Sequence, residues 1–543
     1  MEAISDDQVV RLLPALAEAA RADRHTAERF VPPRVGILEE TASRQHQFVF
    51  GRRGVGKSTL LRKIESLGEE TRSQVIFVDI ETLRGRPYPD VLIELLIEFL
   101  TALERRIRPG SKWRIDVFAR RRGILSRLRR LSTTLRALLD EPQVAERTIR
   151  ELRSKRSLVV GGTGIDFRFL RHGRAHASAE GAVSAQRESS REARFLESKM
   201  DGLLSAAVLI RSALADAHRH LGDEATLIVL DDFYHIPYDD QPDVLAYLHQ
   251  IVKNLHIYLK ICGVRHRIQP FVEGNPPRGM QLGQDAGEVS LDITLARFQG
   301  AQAFLEKVLQ GISEPLEVEL VALVTEGGRQ RLVLGSGGVA RDYLYLTQMA
   351  LRNANERAEN PARPHNRIGA EDVNEAAAEL SAQKQQDLAL DAGPDADRLR
   401  ERLSDVAKFC LDVNGTNIFL VEGTRLQEED WGKEIQALSD LRLVHQIGNL
   451  SVQTGSYRGR RFVGFTLDLS NYTGTRSERI RQIEFWTAQG KQDIRRASLV
   501  YLPGASERSP SRSTAMAGEP PDEVLEGEWI QTDIFDFLDE AVP

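Results

Sequence analysis

The run Gly51, Arg52, Arg53, Gly54, Val55, Gly56, Lys57, Ser58 and Thr59 obeys the spacing G-x-x-x-x-G-K-[ST]. That spacing suits phosphate. Glycines let backbone N–H groups turn inward on a β-phosphate, the lysine reaches the β- and γ-phosphates, and the following hydroxyl holds Mg²⁺. Phe48, Val49 and Phe50 in front and Leu60 and Leu61 behind read as a strand and a helix flanking the loop, the context the motif requires. Such a site also needs a carboxylate at the end of a buried strand to orient the metal. Leu227, Ile228, Val229 and Leu230 form a strand buried on both faces, and it ends in Asp231 and Asp232. Asp231 is the Mg²⁺-directed acid in this reading, and Asp232 polarises an attacking water. A site that binds nucleotide and turns it over slowly would carry the same residues.

These groups need a scaffold that brings strand ends together. Residues 74–80 read as a second apolar strand, followed by a Leu-rich helix over 88–103. Residues 256–264 read as another buried strand, ending in Arg265, His266 and Arg267. Strand and helix in repetition predict an α/β fold, a parallel sheet with helices on both faces. Ligands of such sheets sit beyond the carboxyl ends of the strands, where Arg265 would project. It is read as a γ-phosphate sensor, the alternative being an ordinary surface arginine; His266 is a second candidate. His235 fits a packed loop histidine better than a catalytic one.

With 543 residues the chain has room for about three or four domains. Cys262 and Cys410 stand too far apart in sequence to suggest a disulfide framework or a cysteine-ligated zinc site. The N-terminal segment is acidic and no apolar run approaches the ~20 residues of a bilayer span, so a cytoplasmic protein is expected. A net charge of −6 argues against a surface uniformly basic for nucleic acid but leaves local patches open.

The series of motifs resembles the AAA+ ATPases, most closely the origin-recognition and initiator clade and the neighbouring signal-transduction ATPases with numerous domains. Residues 291–298, with the helix over 301–309, resemble the step from the last core strand into a helical lid. Gly335, Ser336, Gly337, Gly338, Val339, Ala340, Arg341 and Asp342, with the helix over 343–351, resemble the lid helix whose N-terminal arginine reaches back to the γ-phosphate. The resemblance makes Arg341 a second sensor; the alternative is local pairing with Asp342. Residues 368–376 match the short helix that closes such lids. The resemblance covers about residues 31–480 with one insertion and implies ATP and Mg²⁺ as ligands. An oligomer would supply a further arginine in trans, to which no residue can be matched. Initiator ATPases usually end the acidic strand in Asp-Glu and carry a polar first sensor. Asp231-Asp232 and Arg265 depart from that pattern toward the signal-transduction branch, often a slow nucleotide-gated switch.

The expected organisation is an N-terminal helical segment over 1–30, an ATPase core over 31–295 interrupted by an insertion over 105–200, and a lid over 296–390. A winged helix over 396–480, an extension over 481–504 and a tail over 505–543 complete it. Within the insertion Arg105, Arg106, Arg108, Lys112, Arg114, Arg120, Arg121, Arg122, Arg127, Arg129 and Arg130 face only Asp116, with Trp113, Ile115, Phe118, Ile124, Leu125 and Leu128 interleaved. This reads as a helix with one apolar side. Its basic face is a candidate contact for nucleic-acid phosphates, against a solvated face or a contact to anionic membrane or protein. Residues 157–160 and 165–170 read as a strand pair around the turn Gly161-Gly162-Thr163-Gly164.

In the 396–480 unit, helices over 399–411 and 428–441 and strands over 417–421, 443–447 and 462–467 resemble a winged helix, with Arg458, Arg460 and Arg461 at the wing. Its would-be recognition helix carries Glu428, Glu429, Asp430, Glu434 and Asp440 against Lys433, so DNA and protein contact both stay open. The tail is rich in Ser, Pro, Arg and Gly over 505–523, where disorder is expected. It ends in Trp529, Ile530, Ile534, Phe535, Phe537 and Leu538 among carboxylates, a segment for a partner's apolar, basic groove or for the protein's own body. The sequence thus predicts an ATP-binding switch that couples nucleotide state to DNA or an effector. The competing class is a slow or non-hydrolysing regulator acting through protein contacts. A small-molecule kinase leaves the lid and winged-helix segments without a role.

Overall fold

The computed structural model describes residues 6–21, 26–68, 73–107, 115–141, 144–151, 191–222, 224–358, 367–392, 395–452, 457, 459–473 and 480–504. Its centre is a parallel sheet of β1 (Gln47–Phe50), β2 (Ser73–Asp79), β3 (Ala225–Asp231), β4 (Ile257–Gly263) and β5 (Gly287–Ser290). Across the sheet the order is β2-β3-β4-β1-β5. The register aligns Asp79 with Asp231, Leu230 with Ile261, and Phe50 with both Gly263 and Ser290. The carboxyl ends of the strands therefore emerge side by side, so the 51–59 loop, Asp231-Asp232 and residues 264–267 share one rim.

The apolar runs are buried on both faces because alternate side chains enter different cores. Phe48, Phe50, Ile76, Val78, Ile228, Leu230, Leu259 and Ile261 pack into the larger cluster, under helices Asp90–Arg106, Ile115–Asp140, Lys199–Leu221 and Gln241–Val252. Val49, Val75, Leu227, Val229, Cys262 and Val289 turn to the other face, onto Leu60, Leu61 and Ile64 of helix Lys57–Ser66. Each large side chain so buried contributes about 1.5–3 kcal/mol of transfer free energy, which is why a strand with no polar face is stable here. Both cysteines are free and buried.

The insertion packs its long helix against its neighbours through Leu128, Leu131, Leu135 and Leu138. Gly202 lets Leu138 approach to 3.0 Å of where a Cβ would stand. Several basic residues of the patch are neutralised within the fold. Arg129 pairs with Glu104 at 2.8 Å, Arg106 with Glu65 at 3.4 Å, and Arg127 with Asp216. Arg121, Arg122, Arg129 and Arg130 border one open concavity on this helix. Beyond it, Val144–Glu151 pairs antiparallel with Arg191–Ser198. Arg108, Lys112, Trp113, Arg114 and the strand pair expected around residues 161–164 lie outside the described residues.

A helical layer of Phe298–Ser313, Glu326–Ser336, Ala340–Ala358 and Ala370–Ala392 follows the sheet. The N-terminal helix Asp6–Ala19 joins it through Leu12 and Leu16, with Gln348 Nε2 donating to the Leu13 carbonyl at 3.1 Å.

The C-terminal unit holds helices Ala396–Lys408 and Asp430–Asp440 and an antiparallel sheet of β6 (Ile418–Glu422), β7 (Val444–Ser451) and β8 (Arg461–Leu467), with β8 central. The helix expected over 428–441 is present as Asp430–Asp440, preceded by a separate short helix, Gly423–Glu428, with Glu429 extended between them. Gly432 lies against the Arg425 carbonyl of that short helix, 2.3 Å from where a Cβ would stand. Two acids of this second helix are spent internally, while Asp430 stays exposed beside Lys433. Glu434 is buried on Arg402 at 2.7 Å and Arg398 at 3.1 Å, and Asp440 pairs with His266 of the core. Residues 480–504 return along the unit, Tyr501 N donating to the Leu420 carbonyl at 2.8 Å, and Trp486 stacks on Phe298 at 4.0 Å. Arg460 pairs with Glu422 at 3.3 Å. Arg458 and the tail residues Trp529 to Leu538 lie outside the described residues. Among the described residues no helix is long and apolar enough to cross a membrane.

Candidate functional site

A cavity of about 260 Å³ opens at the rim where β1 and β3 end. Its polar wall holds Arg53, Gly54, Val55, Gly56, Lys57, Ser58 and Thr59 of the loop, with Asp232, Glu81 and Arg341. Gly54 and Gly56 take φ of +90° and +96°, a left-handed backbone that other residues resist, and Gly56 caps the helix that starts at Lys57. The loop is closed by its own lysine: Lys57 Nζ donates to the carbonyls of Gly51 at 2.8 Å and Arg52 at 3.1 Å. Burial pulls the Lys57 ammonium below the usual lysine range, against the opposing charges of Asp232, Asp231 and Asp292.

Ser58 hydrogen-bonds the carboxylate of Asp231, which also accepts the amide of Asp232 at 3.1 Å. Asp231 is only 5 % exposed. Burial first, and then the charge of Asp232, push its carboxyl from the usual 3.8 up to about 6, with the Ser58 hydrogen bond and Lys57 pulling the other way. Asp232 ends the strand at φ +50°, a conformation that aspartate tolerates better than most residues, and carries a hydrogen bond to the Tyr234 hydroxyl.

Arg341 arrives from the helical layer. Its amide donates to the Gly54 carbonyl at 3.1 Å, and its side chain lines the cavity beside the loop. A Cβ on Gly54 would lie 3.0 Å from both Arg341 Cβ and Val339 Cγ1, so the glycine is needed for this approach as well as for its φ. Burial lowers the pKa of the Arg341 guanidinium, partly offset by Asp342. Asp342, the next residue, points away and pairs with Arg442 of the C-terminal unit at 2.6 Å, both side chains buried.

Three of the expected site side chains are placed elsewhere, His266 among them on Asp440. Arg265 does not line the cavity. It pairs with Glu288 on the edge strand β5 and lies over the Phe50 ring at 4.7 Å, because the turn after β4 opens toward the sheet edge where that carboxylate waits. Arg52 lends the loop its backbone, but its side chain is a buried strut. Its Nε meets Asp292 at 3.3 Å, and one terminal nitrogen donates to the carbonyls of Ile293 at 2.7 Å and Gly337 at 2.9 Å.

That strut meets a tight junction. Gly337 and Gly338 have φ of +58° and +85°; a Cβ on Gly337 would fall 2.1 Å from His445 Nδ1, and one on Gly338 2.4 Å from the Ile293 carbonyl. His445 in turn hydrogen-bonds Asp468 at 2.8 Å, and Asp468 is paired with Lys384 at 2.7 Å, all three buried. Lys384 and His445 hold the Asp468 carboxyl well below the usual range despite its burial, and burial lowers the pKa of His445.

The opposite end of the cavity had no motif to announce it. Phe30 and Val31 before the core and Phe304, Val308, Ile312 and Leu344 of the helical layer give it an apolar wall, with Arg21 and Arg29 at the mouth. The only trace in the sequence is the helical spacing of 304, 308 and 312, which reads equally as core packing. Compared with protein-family models and with curated proteins, the sequence has no match.

Proposed function

We propose that the chain binds ATP with Mg²⁺ and acts as an AAA+-like ATPase switch, its P-loop at 51–59. The observation that carries this reading is the single cavity lined by Lys57, Ser58, Asp232 and Arg341, which come from three distant segments, with Asp231 buried behind Ser58. The donor set fits the ligand. Loop amides and Lys57 would take the β- and γ-phosphates, Ser58 and Asp231 are hard oxygen donors for Mg²⁺, and the apolar wall from Phe30 to Leu344 suits a nucleobase. Bound Mg²⁺ would neutralise the charge developing on the phosphates.

Within this scheme Asp232 holds and aligns a water, and Arg341 carries positive charge from the lid to the γ-phosphate end. The cavity lies between the loop and the helical layer, and Arg341 reaches the loop from that layer, so a ligand at the γ-phosphate end would act on the layer and could move it. Such a movement would carry the Asp342–Arg442 pair, and with it the C-terminal unit, which we read as a winged helix engaging DNA or an effector protein. The pairing of Arg265 with Glu288 favours the slower variant of the scheme, a nucleotide-gated regulator with weak hydrolysis, since only one of two expected γ-phosphate arginines borders the cavity.

The test is nucleotide binding and turnover of wild type beside Lys57→Ala and Asp232→Ala. Lys57→Ala is expected to abolish binding, and Asp232→Ala to keep binding while stopping hydrolysis. Nucleotide affinity indifferent to Lys57 would sink the reading, and hydrolysis indifferent to Asp232 would sink its catalytic part.

A further inference from the structure

We propose that Glu81, Asp232 and His235 form a binding site for a first-row divalent transition ion on the wall of the cavity, separate from the Ser58–Asp231 pair. One ligand atom from each of the three lies within 4.8 Å of the others. The grouping follows from the sheet. β2 and β3 are neighbours in register, Asp79 beside Asp231, so the turns that leave them run together. Glu81 stands in the first of these turns, its amide fastened to Asp79 Oδ1 at 3.0 Å. Asp232 and His235 bracket the second, the His235 amide donating to the Asp232 carbonyl at 3.1 Å.

Two carboxylates and an imidazole converge, yet among the described residues no hydrogen bond or ion pair joins any of the three side chains to another. Without such a bond to fix them, the three donor atoms are free to turn toward one ion, which would offset the repulsion of the two carboxylates. Metal bonds of about 2.0–2.2 Å would draw the donors to roughly 3–4 Å apart, within reach of small side-chain rotations. One nitrogen with two carboxylate oxygens is a borderline set, suited to Mn²⁺, Fe²⁺, Co²⁺ or Zn²⁺ above Mg²⁺ or Ca²⁺. Glu81 and Asp232 both line the cavity, so the remaining coordination positions face its interior, where water or an anionic ligand can complete the shell. Arg84 and Arg267 act on His235 from outside the triad, Arg53 lines the cavity beside Glu81 and Asp232, and all three moderate the affinity; Arg267 is stacked on the Tyr234 ring at 4.5 Å.

The site does not depend on the nucleotide reading and is tested without nucleotide. The full-length chain, freed of metal by chelation, is titrated with Mn²⁺ followed by electron paramagnetic resonance, and with Zn²⁺ by competition against a chromophoric chelator. One ion per chain is expected. Glu81→Gln and His235→Gln should each weaken it roughly tenfold or more, while Asp231→Asn retains it. Glu81 is exposed, so its variant keeps the fold, and the rise in Tm that Mn²⁺ or Zn²⁺ gives wild type should vanish in it. His235→Asp should keep Mn²⁺ and lose Zn²⁺ preference. No binding below about 1 mM, or binding lost in Asp231→Asn but intact in Glu81→Gln, overturns the proposal.

Discussion

Replacing Asp231 with asparagine should stabilise the protein in the absence of nucleotide and metal, and should do so more at high pH than at low. Asp231 is buried beside Asp232, and its carboxyl sits near 6 where an unfolded chain would have 3.8. A carboxyl with a raised folded pKa binds more protons folded than unfolded, so its ionisation opposes folding as pH climbs through that window. The full shift is worth about 3 kcal/mol at 1.36 kcal/mol per pH unit, with about half of it already present at pH 5 and the whole at pH 8. Asparagine keeps an oxygen for the Ser58 hydroxyl and the Asp232 amide while removing the charge. Urea titration of wild type and variant in chelator, followed by far-ultraviolet circular dichroism, should therefore show the variant's advantage growing by about 1–2 kcal/mol between pH 5 and pH 8. An advantage that is flat with pH, or a variant less stable than wild type at pH 8, would refute the argument that this carboxylate is held at a cost. The same substitution should remove Mg²⁺-dependent nucleotide binding, so the destabilising group is the functional one.

Arg341→Ala should weaken ATP binding roughly tenfold and erase its preference over ADP, whereas Arg265→Ala, removing the Glu288 and Phe50 contacts outside the cavity, should leave both within about twofold in a fluorescent-nucleotide titration. Arg442→Ala abandons the buried Asp342 carboxylate and should cost about 3–5 kcal/mol, read from denaturant midpoints. Gly338→Ala must fit a Cβ against the Ile293 carbonyl at positive φ; a loss above about 1 kcal/mol, with faster proteolysis between sheet and helical layer, is expected. Charge reversal at Arg121, Arg122 and Arg130 together should abolish any duplex DNA binding that falls between two salt concentrations; salt-insensitive binding, or none by wild type, refutes a phosphate contact there.

Much of the core was legible because its signals are local. Apolar runs such as 227–230 can only be strands covered on both sides, and the 51–59 loop announces its own turn through Gly54 and Gly56. Lys57, Ser58, Asp231, Asp232 and Arg341 were accordingly brought together at one rim. The misplacements share a different cause. Whether Arg265 reaches inward or outward depends on Glu288, which stands on an edge strand too short and polar to read as one. The side chain of Arg52 is claimed by carbonyls of Ile293 and Gly337, and backbone acceptors have no signature in a sequence. Phe30 and Leu344 line one cavity from segments far apart in the chain, a meeting that no local pattern records. The short helix Gly423–Glu428 went unread, and its packing on Asp430–Asp440 through the close approach of Gly432 to the Arg425 carbonyl is a backbone contact that helical periodicity cannot register.

Arg341 and Asp342 are neighbours in one helical turn, yet one borders the cavity and the other is clamped to Arg442. The helix they begin, Ala340–Ala358, has 19 residues and is therefore roughly 28 Å long. A tilt of about 5° at its anchored start swings the far end by about 2.5 Å, more than the slack of any close-packed contact. Displacing Arg341 is thus equivalent to moving a lever near its fulcrum: the site feels a fraction of an ångström, and the Ala358 end of the helix feels several times more.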